Sequence, residues 1–420
     1  MVALGLLACL IFAFGLIARR VEGSIVTAPM VFVSAGLIAN WTGLVDFGAA
    51  THAPAGEAEV SRAVVFIVAE LALVLLLFSD AARIDLRTLR GNPLPARLLG
   101  IGLPLTIGLG TALALLLLSD LQLWECAIVA AVLAPTDAAL GQAVVSDKAL
   151  PRHIRQGLNV ESGLNDGGSV PFLMLFIALA ATHEGLEDGW VRFTLEQIGY
   201  GAAIGAAAGA AGGLALKRAT ERGWSTPVFR RLAMAALAVI AWFVADELGG
   251  NGFIAAFVGG CAAGMAAGRV RERLLGFSEE EGEVLNLAVF FIFGVFAADA
   301  LGSATWEIVA YAVLSLTVIR MLPVALSVIG LGLRAPTVAF LGWFGPRGLA
   351  SIILGLVVIE EAPLLPGLKV IFVTMTVTVL LSVFAHGATA APLSRRYAGR
   401  ADWRAEAGRR PAEPHRAVRA

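Results

Sequence analysis

Three acids and several small oxygen-bearing side chains stand in a stretch of otherwise apolar sequence. Residues 133–167 read LAPTDAALGQAVVSDKALPRHIRQGLNVESGLNDG. Asp137 follows directly on Pro135 and Thr136, and Glu161, Ser162, Asn165 and Asp166 lead into the apolar run PFLMLFIALA. An ionisable group inserted at membrane depth costs about 2.5–3.5 kcal/mol, so three acids kept in two neighbouring apolar segments point to a use. Carboxylate, hydroxyl and carbonyl oxygens are hard ligands, the kind that small hard cations prefer. Carboxylates held close together repel, and one poised near cytoplasmic pH holds a proton or a cation but not both. That competition is sufficient to exchange one for the other.

Helical geometry divides the labour. At about 100° per residue, with Glu161 as zero, Asn165 falls at about 40°, Ser162 at about 100° and Asp166 at about 140°. Glu161 and Asn165 share one edge, and Ser162 and Asp166 share the other. This assigns Asp166 and Ser162 as oxygen ligands and Glu161 and Asn165 as braces. Asp137 and Thr136 lie at a Pro-marked break, where unwound carbonyls and the C-terminal end of a half-helix suit a cation. Thr136 can supply its carbonyl, its hydroxyl or both. A structural polar network is the open alternative for Asp137 and Asp166. Glu70, in the apolar run FIVAELALVLLLF, is either a third ligand, part of an ion path, or a structural hydrogen-bonding group.

Two arginines also lie inside apolar segments. Arg347 sits in a run with Gly342, Gly345, Pro346 and Gly348, and its charge needs compensation. Glu161 is the remaining intramembrane acid, so a structural Glu161–Arg347 pair is expected, whose rupture would strand a buried charge. Arg320 is expected to serve structure, by bonding backbone at the broken helices or by snorkelling. His386 is read as a core residue, with pH sensing as the alternative. Glu279, Glu280, Glu281 and Glu283 are read as a solvated face, with a cation-attracting vestibule as the alternative. His52, His153, His183 and His415 lie in loops or the tail.

The elements that must hold these residues follow from composition. The 420-residue chain is 58% hydrophobic and 15% charged, with a mean hydropathy of +0.82. Soluble domains carry nearer a quarter charged residues, and here the apolar residues come in long blocks. This predicts an all-α polytopic membrane protein. Thirteen segments near 20 residues long are candidates: 2–18, 25–45, 62–79, 97–118, 124–145, 154–181, 196–216, 229–247, 250–268, 284–301, 305–330, 337–359 and 366–392. The transmembrane domain is then 1–392, and 393–420 is a short basic tail without the pattern of a folded regulatory domain. The first apolar run precedes its charges, the reverse of a cleaved signal peptide, and is read as a span with its N-terminus outside.

Charge distribution supports the same topology. Of the 31 Lys and Arg residues, the even-numbered connections and their flanks carry only Arg62, Arg192 and Lys369, and only Arg320 and Arg347 lie in span interiors. By the positive-inside rule the odd connections and the tail are cytoplasmic, which requires an odd number of spans. Spans 5 and 12, the two interrupted ones, are seven apart. Two six-span halves of opposite topology around a linking span 7 would give that spacing, and matched interruptions in inverted halves point to a transporter's midplane site. Gly201, Gly205 and Gly209 in span 7, and Gly260, Gly264 and Gly268 in span 9, form small-residue faces read as internal packing, with a dimer contact as the alternative.

Other chemistries fit less well. Cys9, Cys126 and Cys261 all sit in apolar segments with no CxxC or His/Cys ligand spacing, so neither a zinc site nor a disulfide framework is expected. No cofactor and no nucleic-acid partner is expected. An intramembrane aspartyl protease using Asp137 and Asp166 would need a Tyr-Asp or Gly-x-Gly-Asp context, and no HExxH occurs. A sodium-coupled symporter of similar build would need more midplane polar residues than the sequence offers.

Taken together, APTDA at 134–138, ESGLNDG at 161–167, Glu70 in an apolar third span, IRMLPV at 319–324 and GPRGLAS at 345–351 resemble the monovalent cation:proton antiporters of the sodium/proton exchanger type. The order and spacing of the motifs extend over about 1–392. The resemblance implies a six-helix core with crossed breaks in spans 5 and 12, moving against a dimerisation domain, and hence a homodimer. It implies Asp166 as carrier of Na+ or K+ and of the proton, with Thr136, Ser162, Asp137 and Glu70 completing the site and Glu161 paired to Arg347. The Asn165-Asp166 form of the motif is similar to the branch associated with electroneutral exchange. The implied location is the plasma membrane, with the C-terminus cytoplasmic.

Overall fold

A computed structural model describes residues 2–21, 24–45, 67, 70–71, 73–83, 93–137, 140–141, 150–183, 190–270 and 280–399. All regular structure among them is helical. The helices are α1 (Val2–Val21), α2 (Ala28–Trp41), α3 (73–83), α4 (Pro93–Leu117), α5 (Leu123–Val132), α6 (Arg152–His183), α7 (Trp190–Glu221), α8 (Pro227–Glu247), α9 (Gly252–Ala267), α10 (Glu280–Leu301), α11 (Trp306–Ser327), α12 (Ala335–Trp343), α13 (Leu349–Glu361) and α14 (Leu368–Ala398). Eight of these are long and apolar enough to cross a bilayer: α1, α4, α6, α7, α8, α10, α11 and α14. Each described helix lies on one of the expected apolar segments, and the twelfth segment is divided between α12 and α13. Residues 138–139 and 142–145 of the fifth segment and the whole of the tail beyond 399 lie outside the described residues, as do Glu279, His52, Arg62 and His415.

The glycine stripes are consumed inside the protein. Gly201, Gly205 and Gly209 of α7 lie directly on the backbone of Asn251, Ala255 and Gly259 of α9, so that a Cβ at any of them would be driven into a carbonyl oxygen. The opposite face of α9 treats α3 in the same way: Gly260 and Gly264 meet the carbonyls of Phe78 and Ala82. Backbones that approach this closely gain dispersion and weak Cα–H contacts in the absence of a hydrophobic drive between helices in lipid. Gly268 does not continue the stripe. It ends α9 with a φ of 56°, a left-handed turn that favours glycine. Helix α9 is therefore held between α7 and α3.

The fifth-span break is preceded by an anchored helix start. α5 begins with a capping box in which the buried Glu125 accepts from the Gln122 backbone N–H at 2.9 Å. Its other carboxylate oxygen accepts from Gly367 N at 2.7 Å, which ties the outer end of α5 to the start of α14. The α11 helix is kinked at Thr317, where φ is −114° and ψ is −90°, and this kink separates Tyr311 from the turn carrying Arg320. Buried Tyr311 donates from its hydroxyl to Gly110 O at 3.2 Å, joining α11 to α4.

Candidate functional site

Helix α6 runs uninterrupted through the polar stretch. Glu161, Ser162, Asn165, Asp166 and Ser169 are all buried on it. Two interrupted spans meet alongside. α5 stops at Val132 and the chain from Leu133 to Asp137 is not helical, while α12 stops at Trp343 and α13 starts at Leu349. The two breaks are hydrogen-bonded to each other: Asp137 N donates to Pro346 O at 2.8 Å, and the Asp137 carboxylate accepts from Leu349 N at 2.7 Å.

That arrangement answers the electrostatics of interrupted helices. The first N–H groups of α13 present partial positive charge, and Asp137 caps them. The carbonyls just past the end of α5 carry partial negative charge, and Arg347 serves those: its Nη1 donates to Ala134 O at 2.7 Å and to Pro135 O at 2.9 Å. Arg347 is fully buried. Gly348 permits the approach, because a side chain there would collide with the Asp137 carboxylate.

The expected Glu161–Arg347 pair does not form. Glu161 instead pairs with Arg320 of α11, Oε1 to Nη1 at 2.6 Å, with both side chains almost wholly buried. The reason is local. The freed carbonyls of α5 already occupy the Arg347 guanidinium, and Gly345 leaves a flat space that the Arg320 guanidinium fills; a Cβ at Gly345 would run into it. The two arginines have thus exchanged the expected partners. Arg320 takes the acid, and Arg347 takes the backbone.

Thr136 is clamped from both edges of α6. Asn165 Nδ2 donates to Thr136 Oγ1 at 2.7 Å, and Thr136 N donates back to Asn165 Oδ1 at 3.2 Å. The Ser162 hydroxyl donates to Thr136 O in a very short bond. Asn165 thus bonds Thr136 through both of its amide atoms, and Ser162 bonds to the break directly. Next to this clamp, Asp166 is buried and its Oδ1 has no hydrogen-bond partner among the described residues. A buried carboxylate oxygen left without a donor is expensive unless a proton or a cation serves it.

The acids acting on Asp166 are Asp80 and Asp137. Asp80 went unrecognised in the sequence, where it stands at the edge of the third apolar segment beside a cluster of arginines. Helix α3 continues to 83, and Asp80 faces Gly163 of α6; a Cβ at Gly163 would lie 3.5 Å from Asp80 Cβ. The signal that could have found it is its place one residue past the apolar block, within reach of a helical continuation. Glu70 is not brought to this cluster. It is half-buried, and its charged neighbours are Glu360, Asp246 and Glu361, near the ends of α13 and α8. Glu283, at the start of α10, has Asp137 among its charged neighbours and a side-chain hydrogen bond with Asn286. Among the described residues, no three His, Cys, Asp or Glu converge tightly enough to hold a resident metal ion.

The geometry can be set beside known proteins. The family model "Sodium/hydrogen exchanger, transmembrane" matches residues 6–396. A K(+)/H(+) antiporter NhaP from Alkalimonas amylolytica is 24% identical over 389 residues, which take in 90% of this chain and 63% of that protein. A Na(+)/H(+) antiporter ApNhaP from Aphanothece halophytica is 27% identical over 341 residues, 77% of this chain and 63% of that protein. The chain thus spans a little under two thirds of the length of these relatives. The solved structure of the sodium proton antiporter MjNhaP1 from Methanocaldococcus jannaschii at pH 8 superposes with a TM-score of 0.73 at 18% identity, covering 92% of this chain and 98% of that one. At that identity the superposition speaks for the fold.

Proposed function

The chain belongs to the sodium/hydrogen exchanger transmembrane family, and on that premise we propose that it exchanges a monovalent cation for protons across a membrane, one for one, at Asp166. The observation that carries this reading is the buried Asp166 carboxylate, with an oxygen that no group among the described residues serves, set beside a junction of two broken spans. A deprotonated Asp166 would bind the cation with help from the Thr136 carbonyl or hydroxyl, the Ser162 hydroxyl and Asp80. A protonated Asp166 would release it. Asp137 and Arg347 neutralise the half-helix ends and hold the junction together, and Glu161, Asn165 and Arg320 brace it.

Alternating access follows from this competition. The carboxylate crosses between the two faces carrying a proton or a cation, because an empty anion at membrane depth is costly. The named relatives divide between K+ and Na+, and both cations are candidates here, Na+ first. The topology reading puts the N-terminus outside and the C-terminus in the cytoplasm of a plasma-membrane protein, as a homodimer serving pH and cation homeostasis. In everted vesicles, adding Na+ or K+ should dequench a pH dye in the wild type. Asp166→Asn should abolish the response at every pH and cation concentration. An Asp166→Asn protein that still dequenches the dye would remove Asp166 from the mechanism.

A further inference from the structure

The break of the twelfth span is held from behind by a face of α14 to which neither the family match nor the proposed exchange assigns a role. Ser382, His386 and Thr389 lie at i, i+4 and i+7 of α14, one face of the helix. His386 is buried, and its Nε2 lies 3.0 Å from Trp343 O, the last carbonyl of α12. Its Nδ1 lies 3.1 Å from Ser382 Oγ. Ser382 Oγ in turn accepts from Arg347 N at 2.6 Å. The Trp343 indole N–H donates to Thr389 Oγ1 at 3.0 Å, and the Trp343 ring lies 4.9 Å from the His386 ring.

Nε2 faces a carbonyl alone, whereas Nδ1 lies 3.1 Å from both the Ser382 hydroxyl and the Ser382 carbonyl. A carbonyl only accepts, so the neutral tautomer with its proton on Nε2 is the one that gives both ring nitrogens a partner. In the neutral ring Nδ1 is then an acceptor, and the Ser382 hydroxyl is the donor that serves it. That leaves the Ser382 oxygen free to accept from Arg347 N–H. A relay results, from Arg347 N–H through the Ser382 hydroxyl to His386 Nδ1, and from His386 Nε2–H to Trp343 O. The relay joins the two ends of the break, residues 343 and 347, through one side chain. Between them Phe344 holds φ −81° and ψ 59°, and Gly345 N donates to Trp343 O at 2.9 Å, an inverse γ-turn. Both lone pairs of the Trp343 carbonyl are thereby used.

We infer that His386 and Ser382 form a latch that sets the shape of the twelfth-span break, making His386 a positioning residue for the cation site. Its output is the Arg347 backbone. With residue 347 held in place, the guanidinium reaches Ala134 O and Pro135 O, and Leu349 N reaches the Asp137 carboxylate. The effect on transport rests on the proposed exchange at Asp166; the effect on the break does not.

Two readouts keep these apart. In hydrogen–deuterium exchange on the purified protein, His386→Leu and Ser382→Ala should each speed exchange of the 344–350 amides by about ten-fold, and the double variant should add little, since neighbours in one network are non-additive. In proteoliposomes, His386→Leu should raise the cation concentration for half-maximal proton flux by about five-fold, with a smaller change in maximal rate. His386→Gln, whose amide can donate to Trp343 and accept from Ser382, should restore both values and report that the Leu variant is folded. Unchanged exchange at 344–350 in His386→Leu and Ser382→Ala, or Gln as defective as Leu, would overturn the latch. Wild-type protein with no cation-driven proton flux would count against the exchange reading and leave the amide-exchange result to decide the latch.

Discussion

The two breaks are built from the same materials and secured in different ways. The fifth-span break, Ala134 to Asp137, is held by groups that belong to the site. Asn165 and Ser162 of α6 clamp Thr136, and they flank Asp166. The twelfth-span break, Phe344 to Gly348, is held by α14 through Ser382 and His386, by Arg320 lying against Gly345, and by Asp137 across the junction. On the proposed reading, a cation or proton at Asp166 would meet the first break through its immediate neighbours and the second through Asp137, Arg347 and the Glu161–Arg320 pair. The first break would then sense the cargo and the second would serve as scaffold, with the two half-helix dipoles cancelled crosswise.

Breaking the crosswise cancellation should do the most damage. Arg347→Ala leaves the carbonyls of Ala134 and Pro135 buried without a donor, and cation-driven proton flux is expected to fall at least about 100-fold. Flux measured in proteoliposomes from monodisperse protein checks this, and near-normal flux would mean that the α5 end needs no compensation.

The Glu161–Arg320 pair comes next. Glu161→Met strands the Arg320 charge and should destabilise the protein by about 3–5 kcal/mol, whereas replacing both residues by Met should be milder than either Glu161→Met or Arg320→Met alone. Thermal melts of the three variants decide this. Two singles that sum to the double would show that the residues do not act as a pair.

A smaller effect sharpens the site itself. Asp80→Asn should raise the half-saturating cation concentration by about ten-fold, and Glu70→Gln by less than about two-fold. Cation titrations of proton flux at fixed pH compare them. The reverse ranking would restore Glu70 to the site and remove Asp80.

What was legible in the sequence divides along the same line. The apolar blocks, the arginine-rich connections and both breaks could be read directly, because membrane insertion imposes a length and a charge rule on each segment. The α6 residues could be read because helical periodicity places them. Partner choice could not. Glu161 has two buried arginines in its neighbourhood, and which one reaches it depends on the flat space over Gly345 and on the carbonyls that α5 leaves unbonded. Asp80 was hidden because hydropathy marks where apolar residues stop, and α3 continues as helix beyond that point. The α14 latch was hidden because Ser382 and His386 lie in a third helix whose contact with the break no spacing rule encodes.

The central claim is that one buried carboxylate holds a proton or a cation, never both. Calorimetric titration of the purified protein with Na+ and with K+, repeated in two buffers of different ionisation enthalpy, counts protons released per cation bound. Release of about one proton per bound cation is expected in the wild type and none in Asp166→Asn. Cation binding without proton release, or undiminished release from Asp166→Asn, would contradict it.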